Sequence, residues 1–167
     1  VIADFDTRLL TPFGSDDDLT YYKPRPQDKL IPRARYARGM ARQQLGKFAP
    51  AVADIQALLA ADPTPAEKSD AQYVLGLCQV GLKKYADAVT TFKNLLQEDP
   101  KYTGTDKVLY ELAWAQQSLG QEGPAAETFA RLARDFDKSS LAAEAAYHVG
   151  EQAYKKEDFA KAASAYY

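Results

Sequence analysis

The chain has 167 residues, of which 46% are hydrophobic and 26% charged, with a net charge of −2 and a single cysteine. This composition is that of a folded domain, and it excludes an internal disulfide framework and a multi-cysteine zinc site. The acidic balance argues against general nucleic-acid binding, and no apolar run approaches the roughly 18 residues of a membrane span.

Residues 1–31 do not share the periodicity of the rest of the chain. The segment IADFDTRLL predicts a helix with Phe5 and Leu9 or Leu10 on its apolar face, the second helix of a preceding repeat. Residues 14–27 contain three aspartates and the sequence KPRP, which predict an inserted loop. Because the chain starts at Val1 and ends at Tyr167 within an apolar pattern, we expect it to be one module of a longer protein.

From residue 32 onward, one pattern recurs every 37 positions. The recurring columns are Gly39, Gly76, Ala113 and Gly150; Tyr36, Tyr73, Tyr110 and Tyr147; Ala51, Ala88, Ala125 and Ala162; Ile55, Phe92, Phe129 and Tyr166; and Pro63 with Pro100. A period of this length predicts stacked supersecondary units. The predicted repeats are 32–68, 69–105, 106–142 and an incomplete 143–167.

Apolar residues at steps of three and four predict two helices, A and B, in each repeat. Gly46, Gly81 and Gly120 mark the turn between them, and Asp99-Pro100 ends a helix B, since proline disfavours helical geometry in the residue before it. Ser69 is the predicted N-cap of the second helix A. The expected fold class is therefore all-α.

The pattern resembles the tetratricopeptide repeat, which has a small residue midway along helix A, an early alanine and an aromatic in helix B, and a closing proline. The resemblance covers residues 32–167 and implies a right-handed superhelical solenoid of antiparallel helix pairs. The period of 37 exceeds the family's usual 34, and Asp137 replaces the proline in the third repeat. Residues 142–167 are similar to bacterial cell-envelope members, such as the Tol–Pal coordinator and the outer-membrane assembly lipoproteins, so we expect the periplasm or cell envelope rather than the cytoplasm.

The resemblance also implies that a protein or peptide binds the concave face formed by the A helices. The residues predicted to line this groove are Tyr36, Met40, Tyr73, Leu77, Tyr110, Trp114, Tyr147, Glu151 and Tyr154. Two interpretations of the tyrosines stay open, contact with a ligand and packing between adjacent helices. Tyrosine at the fifth position of each repeat excludes the family's carboxylate clamp, which disfavours an adaptor for acidic C-terminal tails.

A basic patch, Arg35, Arg38 and Arg42, lies along one stripe of the first helix A. Residues 19–47 hold eight basic side chains and one acidic residue, Asp28. This asymmetry is consistent with an acidic partner, or with a solvated face balanced by Asp16, Asp17 and Asp18. The same positions are mostly apolar or glutamine in the other repeats, so this helix is unusually polar where it should pack.

Nothing in the sequence predicts catalysis, a metal or a cofactor. His148 has Glu144 and Glu151 on the same helix face, and we interpret this as simple Glu–His pairing on a solvated surface. Cys78 is expected to be a buried, inert thiol. We therefore predict a non-catalytic protein-interaction scaffold, with weak self-association through an uncapped C-terminal end. The alternatives are an RNA-binding helical repeat, which the acidic groove residues disfavour, and an accessory repeat domain of a larger enzyme.

Overall fold

A computed structural model describes residues 30–166 of the chain. These residues form eight α-helices and no strand, which confirms the all-α fold class. In order they are α1 (Leu30–Gln44), α2 (Phe48–Leu59), α3 (Pro65–Gly81), α4 (Tyr85–Glu98), α5 (Thr105–Ser118), α6 (Glu122–Asp135), α7 (Ala142–Lys155) and α8 (Phe159–Ala165). The predicted helix IADFDTRLL (residues 2–10), the loop at 14–27 and Asp16 to Asp18 lie outside the described residues. None of the eight helices has the length and hydropathy that crossing a bilayer requires.

The chain divides into two compact units, which we call the N-terminal unit (residues up to Leu82) and the C-terminal unit (from Lys83). In the N-terminal unit α1 packs on α2 and on α3, and α2 packs on α3. In the C-terminal unit each helix from α4 to α8 packs on the next. Each unit has its own core, in which Ile55 and Phe129 of the helix-B column are buried.

The helices of a repeat pack as antiparallel hairpins. Tyr154 meets Phe159 beside the turn between α7 and α8, and Tyr147 meets Tyr166 two helical turns farther from it. The predicted small residues allow this close packing. A Cβ atom on Gly39 would lie 3.0 Å from the Cβ of Asp54 in α2, and one on Gly150 would overlap the ring of Tyr166.

The period of 37 is also present in the backbone of the turns between helices A and B. Gly46, Lys83, Gly120 and Glu157 all have a positive φ, between 59° and 72°. The next residue in each turn has a φ of −84° or −85° and precedes helix B. Only two of the four left-handed positions are glycine, so the backbone conformation repeats more faithfully than the residue that adopts it.

The predicted N-cap at Ser69 is wrong. Helix α3 begins at Pro65, and Thr64 is its N-cap, because the Thr64 side chain and the Glu67 carboxylate form a reciprocal capping box. Ser69 instead lies in the first turns of the helix, where its hydroxyl donates to the carbonyl of Pro65 (3.1 Å). The helix therefore starts four residues before the predicted repeat boundary at residue 69.

Candidate functional site

Two members of the tyrosine column, Tyr36 and Tyr110, pack toward the A helix that follows theirs within the same unit. In the C-terminal unit the Tyr110 hydroxyl donates to the Glu144 carboxylate (2.7 Å), so α5 is joined to α7. In the N-terminal unit, burial and the nearby negative charge of Asp70 raise the pKa of Tyr36 to about 12. Both carboxylates follow their tyrosine by 34 residues. For Tyr36 and Tyr110 this geometry favours packing between helices over contact with a ligand.

An aromatic cluster in the C-terminal unit surrounds His148. The imidazole stacks on the ring of Phe129, with 4.7 Å between the ring centroids. It meets Trp114 and Tyr147 in T-shaped contacts, with centroid distances of 4.8 Å and 5.8 Å. Trp114 also meets Phe129 and Tyr110 at the unit's core, which leaves it half-buried. Trp114 is therefore part of the packing between repeats, with only one side available to a partner.

The structure corrects the surface assigned to His148. Its Nε2 lies 3.9 Å from Glu144, as the pairing predicts, but only 19% of the side chain is exposed. The stacked Phe129 ring covers the imidazole, so this is not a solvated face. The second carboxylate, Glu151, accepts a hydrogen bond from the hydroxyl of Tyr166 (2.8 Å), and this bond is the main cause that raises the pKa of Tyr166 to about 12.

Four side chains at the end of the C-terminal unit form an exposed aromatic patch: Tyr147, Tyr154, Phe159 and Tyr166. Tyr147 is 53% exposed and Tyr154 is 60% exposed, in contrast to the half-buried Tyr110 one repeat earlier. Tyr110 is covered by α7, whereas the described residues contain no A helix after α7 that could cover Tyr147. The predicted groove residues therefore differ sharply in exposure.

The remaining predicted groove residues lie in the N-terminal unit. Met40 is exposed on α1, whereas Tyr73 and Leu77 are half-buried on α3. Tyr36 packs against the core formed by α2 and α3. Within this unit Met40 is the most accessible of the predicted groove side chains.

Two of the three arginines of the basic patch are engaged inside the N-terminal unit. Arg38 donates to both carboxylate oxygens of Asp54 (3.0 and 2.7 Å), and Arg42 donates to one of them (2.8 Å). Asp54 is only 4% exposed on α2, so its charge is shared between two guanidinium groups. Arg35 is half-buried on the same helix. This contact explains how a polar α1 packs on its neighbour.

A cavity of about 190 Å³ lies between α5, α6 and α7 in the C-terminal unit. Four of the groups already described line it, Tyr147, His148, Glu151 and Phe129, and its other lining residues are Gln117, Glu122, Ala125, Ala126, Gln152 and Lys155. Four of the lining residues belong to helix B, which the groove prediction left out. The sequence pattern indicates these helix-B residues only weakly, because the family's usual site lies on the face of helix A. Helix α6 contributes to the cavity only where it approaches α7.

In the described part of the chain, the thiol and the histidine and acidic side chains are not grouped into a reactive or metal-binding site. Burial raises the pKa of the Cys78 thiol to about 11, so the thiol stays protonated and packs in the N-terminal core. Residues 30–166 contain no cluster of three or more histidine, cysteine or acidic side chains that could hold a metal ion. The chemistry available at the cavity is hydrogen bonding, charge and aromatic contact.

Comparison with known proteins agrees with this architecture. Residues 36–103 and 107–139 match models described as tetratricopeptide repeat, and together they cover more than half of the chain. Among solved structures, an ArsTM double mutant of MamA RS-1 is 21% identical over 99% of this chain and 88% of its own, with a TM-score of 0.68. MamA 41-end from Desulfovibrio magneticus RS-1 is 20% identical over 99% of this chain and 89% of its own, with a TM-score of 0.67. At this identity the likeness concerns the fold. No curated protein matches the sequence.

Proposed function

Because the chain belongs to the tetratricopeptide repeat family, we propose that it is a non-catalytic scaffold that binds a protein or peptide through its A helices. Repeat proteins of this kind present extended surfaces for recognition. We place the main contact on the C-terminal unit, at the aromatic patch and the adjoining cavity.

The observation that carries the proposal is the exposure of Tyr147 and Tyr154 beside a cavity that their own helix helps to line. Exposed aromatic side chains that adjoin one another are unusual on a surface that contacts only water. Tyrosine supplies a large rigid contact area with two rotatable bonds, and it is enriched among residues that dominate binding energy. A partner that covers these rings would also close the cavity.

The proposal is tested by the double variant Tyr147→Ala/Tyr154→Ala in an affinity capture followed by measurement of the Kd for the captured protein. We expect binding to weaken at least about tenfold, since removal of two hot-spot tyrosines costs more than 1.4 kcal/mol. The matched control is Leu119→Ala, which truncates an exposed side chain at the end of α5 outside the cavity. Equal capture by the double variant and the wild type, with unchanged circular dichroism, would refute the assigned surface.

The same patch supports weak self-association, because it exposes apolar rings at the end of the last described hairpin. The expected result is an average mass that rises with concentration in sedimentation equilibrium. The variant Phe159→Ser, which changes a 57% exposed ring, is expected to reduce that rise. A monomer mass that stays constant up to the highest soluble concentration would exclude this contact.

A cell-envelope location is also part of the proposal, and it is supported by the resemblance of residues 142–167 to envelope members of the family. Fractionation of cells that express the native full-length protein tests it. Recovery in the envelope or periplasmic fraction is the expected result, and recovery with cytosolic markers would refute it.

A further inference from the structure

Gln117, which lines the cavity between α5, α6 and α7, has a side-chain oxygen without a hydrogen-bond partner. The side-chain oxygen Oε1 of Gln117, at the end of α5, is buried and accepts no hydrogen bond from the described residues. A buried carbonyl oxygen of this kind is destabilising unless a donor reaches it. A donor from outside the chain can reach this oxygen once the Gln117 amide turns toward the cavity.

Two carboxylates line the same cavity and retain acceptor capacity. Glu122 accepts from Nε2 of Gln152, and Glu151 accepts from the hydroxyl of Tyr166. An ionised carboxylate has about four acceptor positions, so each can take further hydrogen bonds. Lys155 supplies one positive charge, which leaves the ionised lining with one net negative charge.

Aromatic rings complete the lining. Tyr147 and His148 from α7 and Phe129 from α6 line the cavity, and the Tyr147 ring remains exposed. Ring faces attract cations, and they stack well with a planar guanidinium group. A ligand that satisfies the cavity must therefore be flat, positively charged and rich in N–H donors.

We propose that this cavity receives an arginine side chain of the partner polypeptide, with the guanidinium group donating to Gln117 and Glu151 beside the ring of Tyr147. Arginine presents five N–H donors in one plane, whereas lysine presents a compact ammonium group that cannot stack. The inference rests on the proposed function, because it names the chemistry of the partner at the same surface.

The test is an NMR titration of the protein with N-acetyl-arginine amide, observing the indole N–H of Trp114 and the side-chain amide of Gln117. Trp114 is the only tryptophan of the chain, and its ring lies 4.8 Å from His148, so its signal reports on the cavity. We expect saturable shifts at both groups with a Kd in the millimolar range, as suits a single side chain. The neutral isostere N-acetyl-citrulline amide is expected to bind about tenfold more weakly.

Two variants and a control test whether arginine binds in this cavity. Gln117→Leu removes the unpartnered acceptor and Glu151→Gln removes a charge, and each is expected to weaken arginine binding about three- to tenfold. Glu127→Gln makes the same charge change on α6 outside this cavity and should leave binding unchanged. The inference is overturned by equal binding of arginine and citrulline, by equal binding of N-acetyl-lysine amide, or by the absence of any shift at 100-fold excess over about 1 mM.

These outcomes are separable from the fate of the proposed function. If a partner is captured through Tyr147 and Tyr154 but the cavity does not select arginine, the scaffold function stands and this inference is wrong. If the cavity selects arginine but capture does not depend on those tyrosines, the site is confirmed and the scaffold surface is wrong.

Discussion

The α1–α2 hairpin of the N-terminal unit and the α5–α6 hairpin of the C-terminal unit make the same contact with different chemistry. Between α1 and α2, Arg42 pairs with Asp54. Two repeats later, between α5 and α6, Gln116 and Thr128 occupy those positions, and the Thr128 hydroxyl donates to the Gln116 side chain (2.8 Å). The third member of the ionic group, Arg38, corresponds to Leu112, which is buried in the C-terminal unit.

This comparison separates what the repeat requires from what it tolerates. Both hairpins keep the small residue of helix A at Gly39 and Ala113, and both keep Ala51 and Ala125 buried in helix B. The polar contact beside them changes from ionic to neutral without changing the hairpin. The small side chains therefore fix how closely the two helix backbones approach. The polar pair beside them only needs to form its own hydrogen bond or ion pair.

The strongest test of the comparison is Asp54→Asn. The change keeps the shape of the side chain but removes the buried negative charge that two guanidinium groups contact, so we expect the free energy of unfolding to fall by about 3 kcal/mol. Urea titration followed by circular dichroism measures this loss. Thr128→Val, at the equivalent place in the C-terminal unit, should cost only about 1 kcal/mol. Equal losses in the free energy of unfolding at the two positions would mean that the ionic contact contributes no more than the neutral one.

The second test exchanges the chemistry outright. The triple variant Arg38→Leu/Arg42→Gln/Asp54→Thr gives the N-terminal unit the residues of the C-terminal unit at all three positions. Replacement of a largely buried ion-pair group by packed neutral residues is often stabilising, so we expect a gain of about 1–2 kcal/mol in the same urea titration. A loss comparable to that of Asp54→Asn would show that α1 needs charge for a reason beyond its contact with α2.

Much of the fold could be predicted from the sequence, because the small residues that each hairpin needs recur every 37 positions. The helix pairs, the turns at Gly46 and Gly120 and the burial of Cys78 follow from that pattern. The start of α3 differs from the predicted one, although Thr64-Pro65 and Glu67 form a capping signal that the sequence contains. Serine at position 69 is also a common N-cap residue, so the residue type alone does not distinguish it from the capping box at Thr64.

The candidate site was harder to predict, because it depends on contacts between helices that periodicity does not describe. The partner of Arg38 and Arg42 lies 12 to 16 residues away on α2, and nothing in α1 identifies it. The cavity likewise combines Gln117 from α5 with Glu122 from α6 and Glu151 from α7. Small shifts between helices decide whether such side chains enclose a space.

A smaller effect concerns two turns of the C-terminal unit, which share a backbone conformation but not a residue. Glu157 has a φ of 61° and Gly120 a φ of 72°, and no atom lies near the position of a Cβ on Gly120. A left-handed conformation costs a residue other than glycine roughly 1 kcal/mol. We therefore expect Glu157→Gly to raise the melting temperature and Gly120→Ala to lower it, each by about 2–4 °C. Shifts of the same sign would show that side-chain contacts, and not φ, control these turns.

The smallest expected effect is on the pH dependence of stability, to which Glu67 and Glu111 contribute in opposite directions. In the N-terminal unit, the hydrogen bond from Arg33 and those from Thr64 lower the pKa of Glu67 from 4.5 to about 2. In the C-terminal unit, burial raises the pKa of Glu111 above its ordinary value. The lowered pKa means that the ionised form of Glu67 stabilises the fold above pH 4.5, and that this stabilisation is lost as the pH falls toward 2. For Glu111 the ionised form is the penalised one, so its cost is present at neutral pH and disappears on acidification.

The two glutamates should therefore shift stability in opposite directions between pH 7 and pH 3. Glu67→Gln is expected to flatten the acid-induced loss in the N-terminal unit, whereas Glu111→Gln is expected to stabilise the C-terminal unit at pH 7 and to change little at pH 3. Urea titrations at both pH values measure this, with Trp114 fluorescence reporting on the C-terminal unit and circular dichroism on all helices. If both variants shift the midpoints in the same direction at both pH values, the opposite environments assigned to these carboxylates are wrong.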